Sequence, residues 1–141
     1  MLPEFIYFWL IKMKSIADLI EKRYSDIPYP GGKSDRATLL RDITNTDVDC
    51  LEVKTRCAQV IIDIFGDQVA LYESLDGDDK SQILGWVVKN WHESDIEYVD
   101  LLVTITANIE PNSAREFLSE KLSKTSDVEV KGILEDGLSE I

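Results

Sequence analysis

Histidine and cysteine, on which most metal sites and many nucleophilic sites depend, are scarce in this chain. The 141 residues include one histidine, His92, and two cysteines, Cys50 and Cys57. One histidine excludes a two-histidine metal site and leaves no spare base for a cysteine–histidine relay. His92 also falls at a predicted helix end, where a lone histidine is typically structural because it faces the negative end of the helix dipole.

Two short motifs imitate ligand-binding loops but lack essential residues. Lys33 and Ser34 follow two glycines, yet a phosphate-binding loop also needs glycine at position 27, which is isoleucine here. Asn45, Asp47 and Asp49 imitate the first ligands of a calcium loop, but position 50 is cysteine instead of glycine and position 56 is arginine instead of glutamate. The sequence therefore predicts no catalytic residue, no metal site and no cofactor, and a protein that is not an enzyme.

Long apolar runs are also missing. The run Phe5–Ile11 spans seven residues, well short of the ~20 that cross a bilayer, and it lacks a preceding basic residue and a following cleavage site. It predicts neither an export signal nor an anchor, although Met13 resembles a natural start, which leaves residues 1–12 open as an upstream extension. Cys50 and Cys57 lie seven apart on one predicted helix, so their Cα atoms should be about 10 Å apart, beyond disulfide reach. Reduced thiols predict a cytoplasmic protein.

Negative charge is plentiful and unevenly distributed. Residues 1–40 carry 6 Lys/Arg against 5 Asp/Glu, whereas residues 41–141 carry 9 against 22, for a net charge of −12. The acidic side chains alternate with helical apolar stripes, which indicates a folded domain with a negative coat. Such a coat disfavours nucleic acid and membrane surfaces as partners and attracts a basic protein.

Apolar side chains recur at spacings of three and four almost throughout, which predicts an all-α fold. We expect one helical domain over residues 1–141, built from about seven or eight helices as irregular antiparallel hairpins in a HEAT-like, α-solenoid stack. Residues 1–25 form an apolar first helix whose opening turns predict burial inside the protein or in a homodimer contact. Residues 28–33 form a Pro/Gly loop, and residues 111–141 are similar in pattern to one HEAT-type helix pair.

The third predicted helix has two apolar stripes and runs from about Asp47 to Phe65. Gly66 is expected to end it, and a short helix is expected over residues 67–75. Several helix starts share a hydroxyl followed three residues later by a carboxylate, which predicts hydroxyl N-caps. The residues in this position are Thr46, Ser94, Ser113 and Ser126.

The predicted fifth helix follows a turn at residues 76–79 and runs to Trp91. The sixth runs from about Asp95 to Ile109, and its single polar strip consists of Glu97, Asp100, Thr104 and Asn108. Eight residues near these two helices are candidates for partner binding. One is Trp86, and the other seven are the acidic residues Asp76, Asp78, Asp79, Glu93, Asp95, Glu97 and Asp100. Trp86 points away from the apolar stripe of its helix, so it is either an exposed anchor in an acidic rim or is covered by a neighbouring helix. Tyr29, flanked by two prolines, is a second exposed aromatic candidate, unless its loop folds back onto the first helix.

Small size, acidity, helical-repeat character and the lack of catalytic motifs together resemble the bacterial immunity proteins of contact-dependent inhibition and polymorphic toxin systems. The resemblance is one of type over the whole chain and carries over no functional residue. It implies a cognate toxin, commonly a nuclease with a basic active-site cleft, which the protein blocks. Two other classes stay open: a helical-repeat adaptor that binds a peptide or partner protein in its groove, and a DNA mimic, whose double row of acids the loop-clustered carboxylates fit poorly.

Overall fold

A computed structural model describes residues 3–141, with the side chains of residues 3, 4 and 11–141. Within these residues the chain forms seven helices and no strand, which confirms the all-α prediction. The helices are α1 (Glu4–Ser25), α2 (Lys33–Thr44), α3 (Leu51–Ala70), α4 (Gly77–Lys89), α5 (Ile96–Ala107), α6 (Pro111–Lys124) and α7 (Val128–Ser139). Throughout the described range, no helix combines the length and the apolar character that a membrane span needs.

The chain divides into two compact units, Met1–Ser74 and Leu75–Ile141. The expectation of a single domain over residues 1–141 therefore remains a prediction. In the first unit, α1, α2 and α3 all pack against one another. Most of the apolar side chains of α3 are buried there, and α2 adds the buried side chains of Leu39, Leu40 and Ile43. The buried apolar residues of α3 are Val53, Cys57, Ala58, Val60, Ile61, Ile64 and Phe65.

Helix α5 organises the second unit, because it packs against α4, α6 and α7. Its buried residues lie on one face and include Tyr98, Leu102 and Val103. Helices α6 and α7 also pack against each other. A Cβ added to Gly137 of α7 would lie 2.4 Å from Cγ1 of Val103, so this glycine allows α7 to approach α5 closely.

Helix α3 differs from its prediction at both ends. It begins at Leu51, later than expected, and runs through Gly66 to Ala70 without the predicted break. A glycine inside a helix costs only about 1 kcal/mol. Burial of Phe65 before the glycine and of Gln68 after it keeps this turn helical. The short helix expected over residues 67–75 is therefore absent as a separate element from the described chain.

The predicted hydroxyl caps were also wrong. Carboxylates cap α5, α6 and α7, whereas the N-cap of α3 is Cys50 instead of Thr46, with no capping hydrogen bond to its side chain. Asp95 and Asp127 are the N-caps of α5 and α7, each one residue after the predicted serine. Glu110 caps α6 by accepting hydrogen bonds from the backbone N–H groups of Asn112 and Ser113 at 3.2 and 3.0 Å. The pattern marked the right positions to within a few residues but favoured the wrong side chain.

The first helix was predicted correctly as an element, and its described residues test part of its apolar stripe. The apolar spacing placed eight residues on its buried face: Phe5, Phe8, Trp9, Met13, Ile16, Ala17, Leu19 and Ile20. Ala17 and Ile20 are buried, Met13 and Ile16 are half-buried, and Leu19 is exposed. Phe5, Phe8 and Trp9 lie outside the described side chains. The homodimer contact through this helix stays a prediction.

Candidate functional site

Two of the predicted acidic residues are helix caps. Oδ1 of Asp76 accepts a hydrogen bond from the backbone N–H of Asp79 at 2.8 Å at the start of α4. Oδ1 of Asp95 accepts one from the backbone N–H of Tyr98 at 3.0 Å at the start of α5. Because each carboxylate satisfies a free amide and faces the positive end of a helix dipole, both residues have a local folding role.

Two other predicted residues are engaged in the packing of the second unit. The side chain of Asp79 is buried, with 6% of the residue exposed. Glu93 accepts hydrogen bonds from Nε1 of Trp91 at 2.8 Å and from Oγ1 of Thr125 at 2.7 Å. Glu93 thereby connects the α4–α5 loop to the α6–α7 loop, so its carboxylate has a structural role.

Asp78, Glu97 and Asp100 are exposed and, unlike the exposed Asp76, are not N-caps of a helix. Glu97 and Asp100 lie on the polar strip of α5 that the sequence predicted, followed by Thr104 and Asn108. Among the described side chains, none of these three carboxylates forms an ion pair. They are the part of the predicted site that is open to a partner, and we call them the acidic strip.

The structure contradicts the exposed-anchor interpretation of Trp86. Only 3% of this residue is exposed, so it belongs to the core, as the alternative interpretation held. Its indole Nε1 has no hydrogen-bond partner among the described residues. A buried unsatisfied donor costs about 1–3 kcal/mol, and the large apolar area of the ring offsets that cost.

The two units differ in charge. Leu75–Ile141 contains 15 Asp/Glu and 6 Lys/Arg, a net charge of −9, whereas Met1–Ser74 contains 12 and 9, a net charge of −3. In the first unit, Arg23 lies 2.8 Å from Asp42 and Arg56 bonds to both Asp18 and Glu21. In the second unit, the acidic side chains outnumber the basic ones by nine, so nine negative charges are not neutralised by cations of the same unit.

A buried ion pair in the first unit was not found from the sequence. The guanidinium of Arg36, on α2, is fully buried and bonds to both carboxylate oxygens of Glu73, with Nε 2.9 Å from Oε1. The bond from Arg36 lowers the pKa of Glu73 below its usual range, and Glu73 in turn raises the pKa of Arg36. Only a contact between residues far apart in the chain creates this pair, so no local sequence pattern marks it.

The same guanidinium holds the Pro/Gly loop. Arg36 donates to the backbone oxygen of Pro28 at 3.3 Å and to that of Gly31. Gly32 has φ +74°, and a Cβ there would lie 2.5 Å from Cγ2 of Ile27, so only glycine fits this turn. Tyr29 lies between the two anchored carbonyl groups and is 60% exposed, which confirms the predicted exposed aromatic.

Tyr72 is the second aromatic side chain that the fold leaves in water. It follows the end of α3 in the left-handed region, with φ +57°, and is 97% exposed. The backbone N–H of Glu73 donates to the oxygen of Gln68 at 2.8 Å, and that of Tyr72 donates to the oxygen of Val69 at 3.3 Å. This is a Schellman motif with tyrosine at the position usually taken by glycine. This motif was not predicted from the sequence, because the helix was expected to end at Gly66.

The phenol of Tyr24 and the thiol of Cys57, both in the first unit, have raised pKa values. Burial, followed by a 2.7 Å hydrogen bond to Asp67, raises the pKa of Tyr24 to about 12. Burial raises the pKa of the Cys57 thiol to about 11. Cys50 and Cys57 are both free thiols, as predicted, and a buried thiol with a raised pKa is a poor nucleophile.

Each unit contains a small cavity. The first, of about 230 Å³, is lined by residues of α1, α2 and the loop between them, including Arg23 and Asp26. These two charged groups have partners, because Arg23 pairs with Asp42 and Asp26 lies 3.3 Å from Lys22. The second, of about 250 Å³, is lined by residues from α4 and the start of α6. No group of three or more His, Cys, Asp or Glu side chains within the described chain could hold a metal ion.

Comparison of the chain with known protein families, with curated proteins and with solved structures found no match.

Proposed function

We propose that this protein binds and neutralises a basic protein partner and catalyses no reaction itself. The observation that supports this is the charge of the second unit, where at least nine carboxylates exceed what its own cations can neutralise. The most specific form of the proposal is an immunity protein that blocks the active site of a cognate toxin, a nuclease. The free thiols Cys50 and Cys57 fit a cytoplasmic protein of this kind.

The acidic strip is the surface that we propose contacts the partner. Asp78, Glu97 and Asp100 are exposed and unpaired, whereas Asp76, Asp79, Glu93 and Asp95 have capping or packing roles. Holding uncompensated like charges together destabilises a folded unit through mutual repulsion. A cationic partner removes that repulsion on binding, so the charge favours the complex over the free protein.

The mechanism follows from the surface that a nuclease presents. An enzyme that binds RNA or DNA phosphates has a cleft with positive potential. Carboxylates of the acidic strip would occupy the position of those phosphates and exclude the substrate. Attraction between opposite charges raises association rates by roughly 10- to 1000-fold at low salt, so the toxin is captured quickly.

The test begins with the product of the gene next to this one, if that product has a basic C-terminal region. The region should kill cells only when the present chain is absent, and the purified chain should inhibit its nuclease activity in stoichiometric amounts. Survival of cells without the chain, or uninhibited nuclease activity, would contradict the proposal.

The role of the acidic strip has a matched control. The triple variant Asp78→Asn, Glu97→Gln, Asp100→Asn should slow association at least tenfold at low salt, whereas the wild-type rate should fall steeply between about 50 and 500 mM salt. A control variant with the same change of charge neutralises three exposed carboxylates of the α7 region, Glu129→Gln, Glu135→Gln and Glu140→Gln. Equal slowing by both variants would remove the acidic strip as the contact. Tight binding with no salt dependence would favour the adaptor alternative instead.

A further inference from the structure

The cavity of the second unit is lined by one cation and one anion that do not pair with each other. It has a volume of about 250 Å³ and lies between α4, the residues that follow α5 and the start of α6. Within the described chain, α4 and α6 each pack against α5 but not against each other, so a space remains between them. We call this space the α4–α6 cavity.

Lys80, on α4, supplies the positive charge. Its side chain is half-buried, and among the described residues its ammonium group has no hydrogen bond and no ion pair. This is unexpected in a unit where acidic side chains outnumber basic ones by nine. A charge that is partly withdrawn from water is costly unless an opposite charge accompanies it. Lys80 is therefore suited to hold the anionic group of a ligand.

Glu110, the N-cap of α6, supplies the negative charge. Its carboxylate accepts hydrogen bonds from the backbone N–H groups of Ser113 and Asn112 and from Oγ of Ser113. The bonds from Ser113, then that from Asn112 and the nearby charge of Lys80, lower the pKa of Glu110, so the group is ionised at neutral pH. A carboxylate can accept about four hydrogen bonds, so one position remains for a donor from a ligand.

The separation of these two charges indicates the charge of the ligand. Lys80 and Glu110 are close enough to interact, yet no ion pair or hydrogen bond joins them across the cavity. A ligand with one carboxylate and one ammonium group satisfies both residues with charge-assisted hydrogen bonds. A ligand with a single charge is attracted by one residue and repelled by the other. The lining therefore favours a zwitterion.

The rest of the lining limits the size and the polarity of the ligand. Leu84 is half-buried and Ile109 is 8% exposed, so the cavity has an apolar side as well as a charged one. At about 30 Å³ for each water molecule, its volume corresponds to about eight waters, which is close to the number of heavy atoms in a small aliphatic amino acid. Cavities that bind drug-sized molecules are usually larger, at about 300–1,000 Å³.

We propose that the α4–α6 cavity binds a free amino acid with an aliphatic side chain. The carboxylate of the ligand lies at Lys80 and its ammonium group at Glu110. Its side chain lies against Leu84 and Ile109. The inference does not depend on the proposed function, because the cavity shares no lining residue with the acidic strip.

The test is a titration of the isotope-labelled whole chain with L-leucine, followed through the backbone amide signals in NMR spectra. The signals of Ser81, Leu84 and Ser113 should shift and saturate, with a Kd on the order of 1 mM because so small a ligand makes few contacts. The signal of Val53, buried in the first unit, should not move. Absence of a saturable shift up to about 10 mM leucine would overturn the inference.

Leucine analogues test each charged contact without changing the protein. Leucine amide lacks the carboxylate and N-acetyl-leucine lacks the ammonium group, so each should bind about tenfold more weakly than leucine. The contact with Glu110 is tested in this way because a substitution there would also remove the cap of α6. Equal affinity for leucine and either analogue would refute a zwitterion site.

Variants test the position of the ligand. Lys80→Met removes the charge and keeps an unbranched side chain, so it should weaken leucine binding about tenfold and leave the binding of leucine amide unchanged. Lys131→Met is the matched control, because it removes the same charge from an exposed position on α7. Ser81→Trp should fill the cavity and abolish binding without lowering the melting temperature, since Ser81 is exposed. Equal weakening by the two lysine variants, or unchanged binding in Ser81→Trp, would overturn the inference.

Discussion

The buried pair Arg36–Glu73 offers the sharpest test of how the first unit is held together. Glu73→Gln keeps the shape of the side chain but leaves the guanidinium charge buried without a counter-charge. Breaking a buried pair in this way costs about 3–5 kcal/mol, a large part of the 5–15 kcal/mol that stabilises a typical domain. With a urea dependence of about 2 kcal/mol per molar, the unfolding midpoint should fall by roughly 2 M.

A double-mutant cycle identifies the pair as the cause. Arg36→Met combined with Glu73→Leu removes both charges, so it should destabilise the unit by at least about 2 kcal/mol less than the sum of the single changes. The matched control is Glu21→Gln, which removes the charge of one of the two carboxylates paired with the more exposed Arg56 and should cost at most about 1 kcal/mol. Coupling below about 0.5 kcal/mol, or equal losses in Glu73→Gln and Glu21→Gln, would refute the reasoning.

The pH dependence of the same variant has a definite sign. The pKa of Glu73 is lowered in the folded state, so its carboxylate stabilises the fold at pH values above the usual glutamate pKa of about 4.3. That contribution is lost as the pH falls through the lower folded-state pKa. The difference in unfolding free energy between the wild type and Glu73→Gln should therefore shrink on acidification. A difference that stays constant from neutral to strongly acidic pH would show that the carboxylate charge is not the cause.

Three further outcomes are expected in thermal or urea unfolding. Tyr72→Gly should raise the free energy of unfolding by roughly 0.5–1 kcal/mol, because relief of the left-handed backbone outweighs the extra entropy of glycine in the unfolded chain. A lower free energy of unfolding would contradict backbone strain at Tyr72. Gly137→Ala should lower the free energy of unfolding by about 1–3 kcal/mol, because the added Cβ would clash with Val103. Gly132→Ala, which has open space around it, should leave the free energy of unfolding unchanged or raise it. Equal effects of the two variants would contradict the close approach of α7 to α5. Trp86→Ala should lower the free energy of unfolding by about 3–5 kcal/mol, because it removes a large buried ring. Trp86→Phe should lower it much less, because phenylalanine keeps a ring and removes the unsatisfied indole donor. An unchanged melting temperature in Trp86→Ala would contradict the burial of Trp86.

The all-α fold could be predicted because apolar spacing is a local property that the packing then follows. The polar strip of α5 was predicted for this reason, and Glu97 and Asp100 are exposed as expected. The end of α3 could not be predicted, since burial of residues on both sides of Gly66 outweighed the intrinsic cost of the glycine. Helix boundaries depend on such tertiary contacts.

The candidate site was likewise predictable only in part from the sequence. Clustered carboxylates were visible in the sequence, but which of them cap helices, as Asp76 and Asp95 do, depends on where each helix begins. The burial of Trp86 was one of two open alternatives, because its angle on the helix alone does not reveal what covers it. Arg36 and Glu73 are separated by 36 other residues, so only the folded chain brings them together.

The bidentate contact between Arg36 and Glu73 has an evolutionary consequence. Neither residue can change alone without stranding a charge in the interior, so relatives of this protein should substitute the two positions together or keep both. Positions 29 and 72 carry no such constraint, because their rings stand outside the frame that the pair maintains. Either tyrosine could thus be substituted singly while the supporting framework remains intact.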